Sequence, residues 1–206
     1  MQQFDNAKRE QQAMTLWTSS QQNADENTDA KILLAIEKLS HSPLFDKTAI
    51  VNPALLALFY NTLADNQSDG GKSQEYNQQA KLNYLNALKS KPTKSTNWAS
   101  LAMIKWNLQE VDEDYLRYIM NAHRYGKHEP RTHIKLVQLG AKIISNKVTM
   151  SPKLKPIFLH HLVFGITHKK SRPSILQGVN KDGSIRNEFC SWIEENKTAR
   201  KKLKCA

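Results

Sequence analysis

The chain has 206 residues, of which 39% are hydrophobic and 24% charged, with a mean hydropathy of −0.62 and a formal net charge of +11. That length buries a sizeable core, so one globular body is the natural expectation, and the composition suits helices that bury one face and wet the other. No run of about 18 apolar residues occurs, which excludes a membrane-spanning helix within the chain, and Met1–Arg9 carries no apolar stretch that could act as a signal peptide.

Residues 1–27 are rich in Gln and Asn, interrupted by Phe4, Met14, Leu16 and Trp17, and are expected to form a loosely packed helix or frayed terminus. A firm helix follows from Asp29 to Leu39, placing Ile32, Leu33, Ile36 and Leu39 on one face, with Pro43 marking its end. Asn52-Pro53 reads as an N-cap followed by Pro at the first helical position, opening a helix to about Ala64. Asp65–Lys72 is the clearest loop: Asp69-Gly70-Gly71 reads as a helix stop, with the next helix running from about Ser73 to Ser90, ahead of Pro92.

Ser95 or Thr96 can cap a helix reaching Leu108, and Asp112 or Asp114 opens another that extends to Arg124, before Gly126. Three more are expected over about Glu129–Ser145, Pro152–Thr167 and Ser184–Asn196, with Pro173 and Gly183 bounding an irregular segment. Nothing alternates with period two over a useful length, so no sheet is predicted. The predicted fold class is all-α: antiparallel helical hairpins in an irregular array of about seven to nine helices. Residues 28–196 form the helical domain in this reading, preceded by the polar segment 1–27 and followed by a basic tail, 197–206.

A repeat can be counted in the middle of the chain. Ala80, Tyr84, Ala87 and Pro92 match the second helix of a tetratricopeptide repeat, where small residues let helices approach, an aromatic fills the gap and Pro closes the unit. The same register then places Trp98, Leu101 and Ala102 where the next unit wants Trp, Leu and a small residue. Lys105 occupies the usual Tyr position, Ala122 falls one residue late and Pro130 is displaced by an insertion, so at most two such units are expected inside an irregular helical domain, with Ala80 to Ala102 forming one antiparallel pair.

The stretch from Trp98-Ala99-Ser100-Leu101-Ala102-Met103-Ile104-Lys105, through Asp112-Glu113-Asp114-Tyr115-Leu116, to Asn121-Ala122-His123-Arg124-Tyr125-Gly126-Lys127-His128-Glu129-Pro130 resembles the VpsP-type family of bacterial polysaccharide-biosynthesis-associated proteins. That family pairs a Trp-x-x-Leu-Ala-x-x-Lys helix with one ending in Ala-x-x-x-Gly-x-x-Glu-Pro, and the match covers about 40 residues. The resemblance implies an accessory or scaffold role in exopolysaccharide or O-antigen assembly, with protein partners from that machinery. It also implies a periplasmic location, as the soluble portion of a protein whose membrane helix precedes the present chain; a native start at Met1 would instead suit the cytoplasm. The family supplies no catalytic residues.

The excess positive charge lies in the second half: residues 101–206 carry twenty Lys/Arg against nine Asp/Glu, whereas residues 1–100 carry ten of each. Basic groups cluster at His168–Arg172 and Lys197–Lys204, which attract any polyanion, whether acidic polymer or nucleic acid, or simply solubilise the tail. Nucleic-acid binding by residues 131–206 is therefore the alternative to the scaffold reading.

Reaction chemistry finds little footing. His160-His161 are neighbours pointing about 100° apart on a helix, and His123, His128 and His133 recur every five residues across a helix junction, so neither set is expected to share a face or hold a metal. No Ser nor Cys190 sits in a nucleophile elbow, and Asp69-Gly70-Gly71-Lys72 lacks phosphate-loop spacing. Cys190 and Cys205 have no zinc spacing; in an oxidising compartment one bridge between them would pin the tail. No cofactor and no catalysis are expected. Trp98 and Trp106, eight residues apart on one side of a helix, are expected to pack in the core, and Lys105 is placed to pair with Glu129 or with an acidic partner. Glu129 also suits the amino end of the helix that Pro130 begins.

Overall fold

The computed structural model describes residues 2–22, 28–40 and 52–205, and the described residues form eleven helices and no strand. The all-α expectation is met. The helix stop expected at Pro43 lies outside the described residues. The chain divides into two compact units, Met1–Pro92 and Thr93–Ala206, where one helical domain over 28–196 was expected.

The first unit holds α1 (Gln2–Gln22), α2 (Thr28–Ser40), α3 (Pro53–Asn66) and α4 (Gly70–Ser90). Each packs on the next, α1 on α2, α2 on α3, and α3 on α4. Of the amino-terminal segment, expected as a loosely packed helix or frayed terminus, residues 2–22 form the helix α1, which packs on α2. Ala13 is fully buried with Ile32, Ala35, Ile36 and Leu39 of α2 and Leu55, Phe59 and Leu63 of α3, while Trp17 stacks on Phe59 at 6.3 Å and its indole N–H donates to Thr62 Oγ1 at 3.2 Å. Leu33, expected on the inner face of α2, is exposed, as is Leu34, because the buried stripe runs through Ile32, Ala35, Ile36 and Leu39.

The turn between α3 and α4 corrects another reading. Asp69-Gly70-Gly71 starts a helix instead of stopping one: the Asp69 carboxylate accepts from Gly71 N at 2.8 Å, and Gly70 is the first residue of α4. An acidic cap at the positive end of the helix stabilises the first turn enough to tolerate two glycines there. Ser73 Oγ donates back to the Ala64 carbonyl at 2.9 Å, tying the start of α4 to the end of α3. Farther along α4, Ala80, Tyr84 and Ala87 are buried as the repeat register requires, whereas Pro92 is exposed.

The second unit holds α5 (Ser95–Asn107), α6 (Glu113–Gly126), α7 (Pro130–Ser145), α8 (Lys155–Thr167), α9 (Arg172–Val179), α10 (Gly183–Trp192) and α11 (Lys197–Leu203). Within the units, α5 pairs with α6 and α4 with α3, and Ala80 and Ala102, expected in one antiparallel pair, belong to different units. Aromatic contacts fix the direction of the α5–α6 pair. Trp98, near the start of α5, meets Tyr118 well inside α6 at 5.5 Å, and Trp106, near the end of α5, meets Tyr115 near the start of α6 at 6.4 Å, an antiparallel match. Leu101 and Ala102 are fully buried between these two tryptophans in sequence.

Helix α7 packs on α5, α6, α8, α9 and α10 and so forms the hub of this unit. Gly126 ends α6 against it: a Cβ there would come within 2.7 Å of both Ser95 Cβ and Thr132 Cγ2, so only glycine lets α5, α6 and α7 converge. Ser95 lacks the predicted capping role, because its hydroxyl is buried in a 2.8 Å hydrogen bond with Thr132, and the N-cap position falls to Lys94 without a side-chain bond.

The segment from Pro173 to Gly183, expected to be irregular, contains α9, with Pro173 in its first turn where a missing N–H costs nothing. The basic tail is likewise structured. Helix α11 packs on α8 and α10, buries Ala199 and Leu203, is capped by Asn196 accepting from Ala199 N at 2.9 Å, and is held by a disulfide between Cys190 and Cys205.

Candidate functional site

Two side-chain clusters in the second unit combine burial with ionisable chemistry. The first surrounds Lys105, whose side chain is only 4% exposed. Helix α5 ends one turn later in a backbone device: Gln109 N donates to Trp106 O at 3.0 Å and Glu110 N to Lys105 O at 2.8 Å, with Gln109 at φ 59°. These two bonds form a Schellman motif, which reverses the chain and carries Glu110 and Asp112 back over the last turn of α5. There the Lys105 ammonium meets Asp112 Oδ2 at 2.6 Å and Glu110 Oε2 at 3.2 Å. Burial alone would lower the Lys105 pKa, but the bonds to Asp112 and Glu110 outweigh it and hold it above its ordinary value.

Asp112 serves twice, since its other oxygen accepts from Tyr115 N at 3.0 Å and caps α6. The Lys105 hydrogen bond, followed by that amide, keeps its carboxyl below the ordinary range. Lys105 is thus paired with Glu110 and Asp112, not with Glu129. Glu129 instead caps α7, accepting from Arg131 N at 3.3 Å, which is the plainer of its two predicted uses. Trp98 is half-buried against Tyr118.

The second cluster joins histidines that the sequence kept apart. His123 comes from α6, His133 from α7, and His160 and His161 from α8. His133 and His161 are essentially fully buried, at 1% and 0% exposure. His133 Nδ1 lies 2.8 Å from His161 Nδ1, and His161 Nε2 lies 3.2 Å from His123 Nδ1, so three imidazoles run in a line with His161 at the centre. His160 flanks the line, 5.0 Å edge-on to His123 and stacked at 4.4 Å on Phe164, while its Nε2 reaches the Lys127 carbonyl at 3.1 Å.

Close approach of α7 and α8 makes this line possible. At Gly165, one turn beyond His161, a Cβ would overlap Ile175 of α9 and come within 3.0 Å of the His133 Cβ. Burial, joined by the charges of neighbouring histidines, pushes His133 down to about 4 and His161 down to about 2. His123, half-buried, is lowered by burial and then by His160 and Lys127.

The expectation that these histidines share no face is corrected. Each helix presents one or two imidazoles, and only the packing of three helices brings them together. The usable signal was local: His133 lies beside Leu136 and Val137, and His161 beside Phe158 and Leu162, on stripes that read as buried. Nitrogen lone pairs do not converge on a point, because His161 faces one neighbour with Nδ1 and the other with Nε2. Among the described residues no group of three or more His, Cys, Asp or Glu side chains has metal-binding geometry.

Basic groups near these clusters divide into two kinds. Arg172 is spent on structure, with Nε donating to Ile166 O at 3.0 Å and Nη2 to Thr167 O at 3.3 Å, which closes the end of α8. Lys169, Lys170, Lys197, Lys201 and Lys204 are exposed. Beside α11 an open groove of about 420 Å³ is lined by Leu159, Val163, Trp192, Glu194, Glu195 and Asn196, among others. The Trp192 indole N–H donates to Glu188 at 2.9 Å and Lys155 lies over its ring at 5.6 Å, so the aromatic face is already occupied. Set against models of protein families, characterised proteins and solved structures, the chain matches none of them.

Proposed function

We propose that this chain is a non-catalytic scaffold domain that assists bacterial exopolysaccharide or other surface-polysaccharide production by binding protein partners of the assembly machinery. The observation that carries the reading is the α5–α6 hairpin. The residues that resemble the VpsP-type family, Trp98 through Pro130, fold as this one helix pair and the first residue of the next helix. Two of the ionisable groups in the matched motif are engaged internally: Lys105 by Glu110 and Asp112, and Glu129 by the α7 amino end. Helix surfaces are left as the working parts, and that of α6 displays Leu116, Arg117, Met120 and Arg124.

An extracytoplasmic, periplasmic location accompanies this proposal. The Cys190–Cys205 bridge supports it, since such bonds persist in oxidising compartments. In a bacterial host carrying the gene, deletion is expected to lower extractable surface polysaccharide. The wild-type gene should restore it, and a folded Leu116→Glu/Met120→Glu variant should not. Unchanged polysaccharide in the deletion strain would refute the role.

A second reading, nucleic-acid binding, is favoured by one observation: residues 131–206 carry sixteen Lys/Arg against four Asp/Glu, with Lys197, Lys201 and Lys204 exposed on or beside α11. Binding to random DNA or RNA that weakens steeply as salt rises supports it, and no binding at low salt removes it.

A further inference from the structure

We propose that the line of imidazoles from His123 through His161 to His133 is an acid-released latch that holds α6, α7 and α8 together at neutral pH and lets α8 part from them on acidification. The argument begins with hydrogen-bond counting. A neutral imidazole offers one N–H and one lone pair. Three of them in a line satisfy both N···N contacts in either direction, His123 donating to His161 and His161 to His133, or the reverse. One added proton on His161 lets it donate both ways. A second added proton places two N–H groups across a gap of 2.8 or 3.2 Å, and that contact must open.

The surroundings favour opening over tolerance of charge. The groups acting on the line are His123 from α6, Lys127, His128 and Glu129 from the α6–α7 link, His160 from α8 and His168 from the α8–α9 link. Glu129 is the one acidic group among them, and its carboxylate is engaged at the start of α7. From α9 comes Ile175, which does not titrate. His123 and His160 are half-buried and give protons a way in from solvent.

The direction with pH follows from the lowered values. An unfolded histidine titrates near 6.5, whereas His133 and His161 are held at about 4 and about 2. Between those limits the unfolded chain binds more protons, so stability is complete above pH 6.5 and falls as pH drops below it. Two histidines neutral in the fold and protonated out of it lower the folding equilibrium constant about 100-fold per pH unit near pH 5. The carboxyls of Asp112 and Asp182 are held below the ordinary carboxylate range, so they stay ionised near pH 5.

The test is amide hydrogen exchange on the full oxidised chain at pH 7 and pH 5, corrected for intrinsic rates, with imidazole NMR titration of the same sample. Protection in α6–α8 is expected to fall by about 100-fold or more while α3–α4 keeps its own, and His133 and His161 should remain neutral in the folded signal down to pH 5. A His133→Gln/His161→Gln chain should lose the pH dependence. If that variant fails to fold, the wild-type titration still decides. His133 and His161 titrating near 6.5 in the folded chain, α6–α8 protection unchanged at pH 5, or equal loss in α3–α4 would each overturn the latch.

Discussion

Lys105 shows how one side chain can be both charged and structural. Its amine is buried, but its two partners reach water, Asp112 at 55% and Glu110 at 29% side-chain exposure, so the burden of desolvation lies on one side of the cluster. Lys105→Met removes the buried charge and leaves both carboxylates solvated, and is expected to cost about 1 kcal/mol. Glu110→Gln with Asp112→Asn strands the ammonium without a counter-charge and should cost more. Urea unfolding of both variants checks the order, and the reverse order would refute the account. The histidines follow the same logic with opposite polarity: with no carboxylate among the groups that shift His161, the cheapest state of that imidazole is the neutral one. Each residue was visible in the sequence as an ionisable group at a helical position. Which partner it finds was not, because Lys105 is answered from a reversed link and His161 from two other helices.

At the scale of the element, the helix starts were easier to read than the ends. Asn52, Asp112 and Glu129 cap as expected, accepting from Leu55, Tyr115 and Arg131 amides. The ends use three Schellman turns whose left-handed position holds Gln109, Lys147 and Lys204, at φ 59°, 54° and 57°, where glycine is the usual sign. A sequence search for Gly therefore passes over them. A left-handed non-glycine residue costs roughly 1 kcal/mol, so Gln109→Gly is expected to raise stability by about 0.5–1 kcal/mol, provided the added freedom of the unfolded chain does not cancel it. Thermal unfolding of the variant measures this, and a clear loss of stability would show that the Gln109 side chain contributes to the turn. The short helices α9 and α11 were missed for a related reason: eight and seven residues are too few for periodicity to register.

At the scale of the whole molecule, the division at Pro92 and Thr93 means that each unit must supply its own core. The first does so with Trp17, Phe59 and the α2 stripe, and the second with the α7 hub and a covalent closure at its carboxyl end. Closing a loop of 15 residues is worth about 3 kcal/mol in the unfolded-chain account. Reduction is therefore expected to loosen α11 and lower the stability of the second unit, while α3–α4 keeps its exchange protection; loss of protection in both would contradict independent cores. The sequence by itself determined the helical class, the bounds of α3 and α5–α8 to within a few residues, and the burial of Ala80, Tyr84, Leu101 and Ala102, because these depend on periodicity, caps and side-chain size along one segment. Only the tertiary structure decided that α4 pairs with α3 and α5 with α6, that the basic tail is a pinned helix, and that His123, His133 and His161 meet. Those outcomes depend on which faces of distant segments are buried together, and no local spacing encodes that choice.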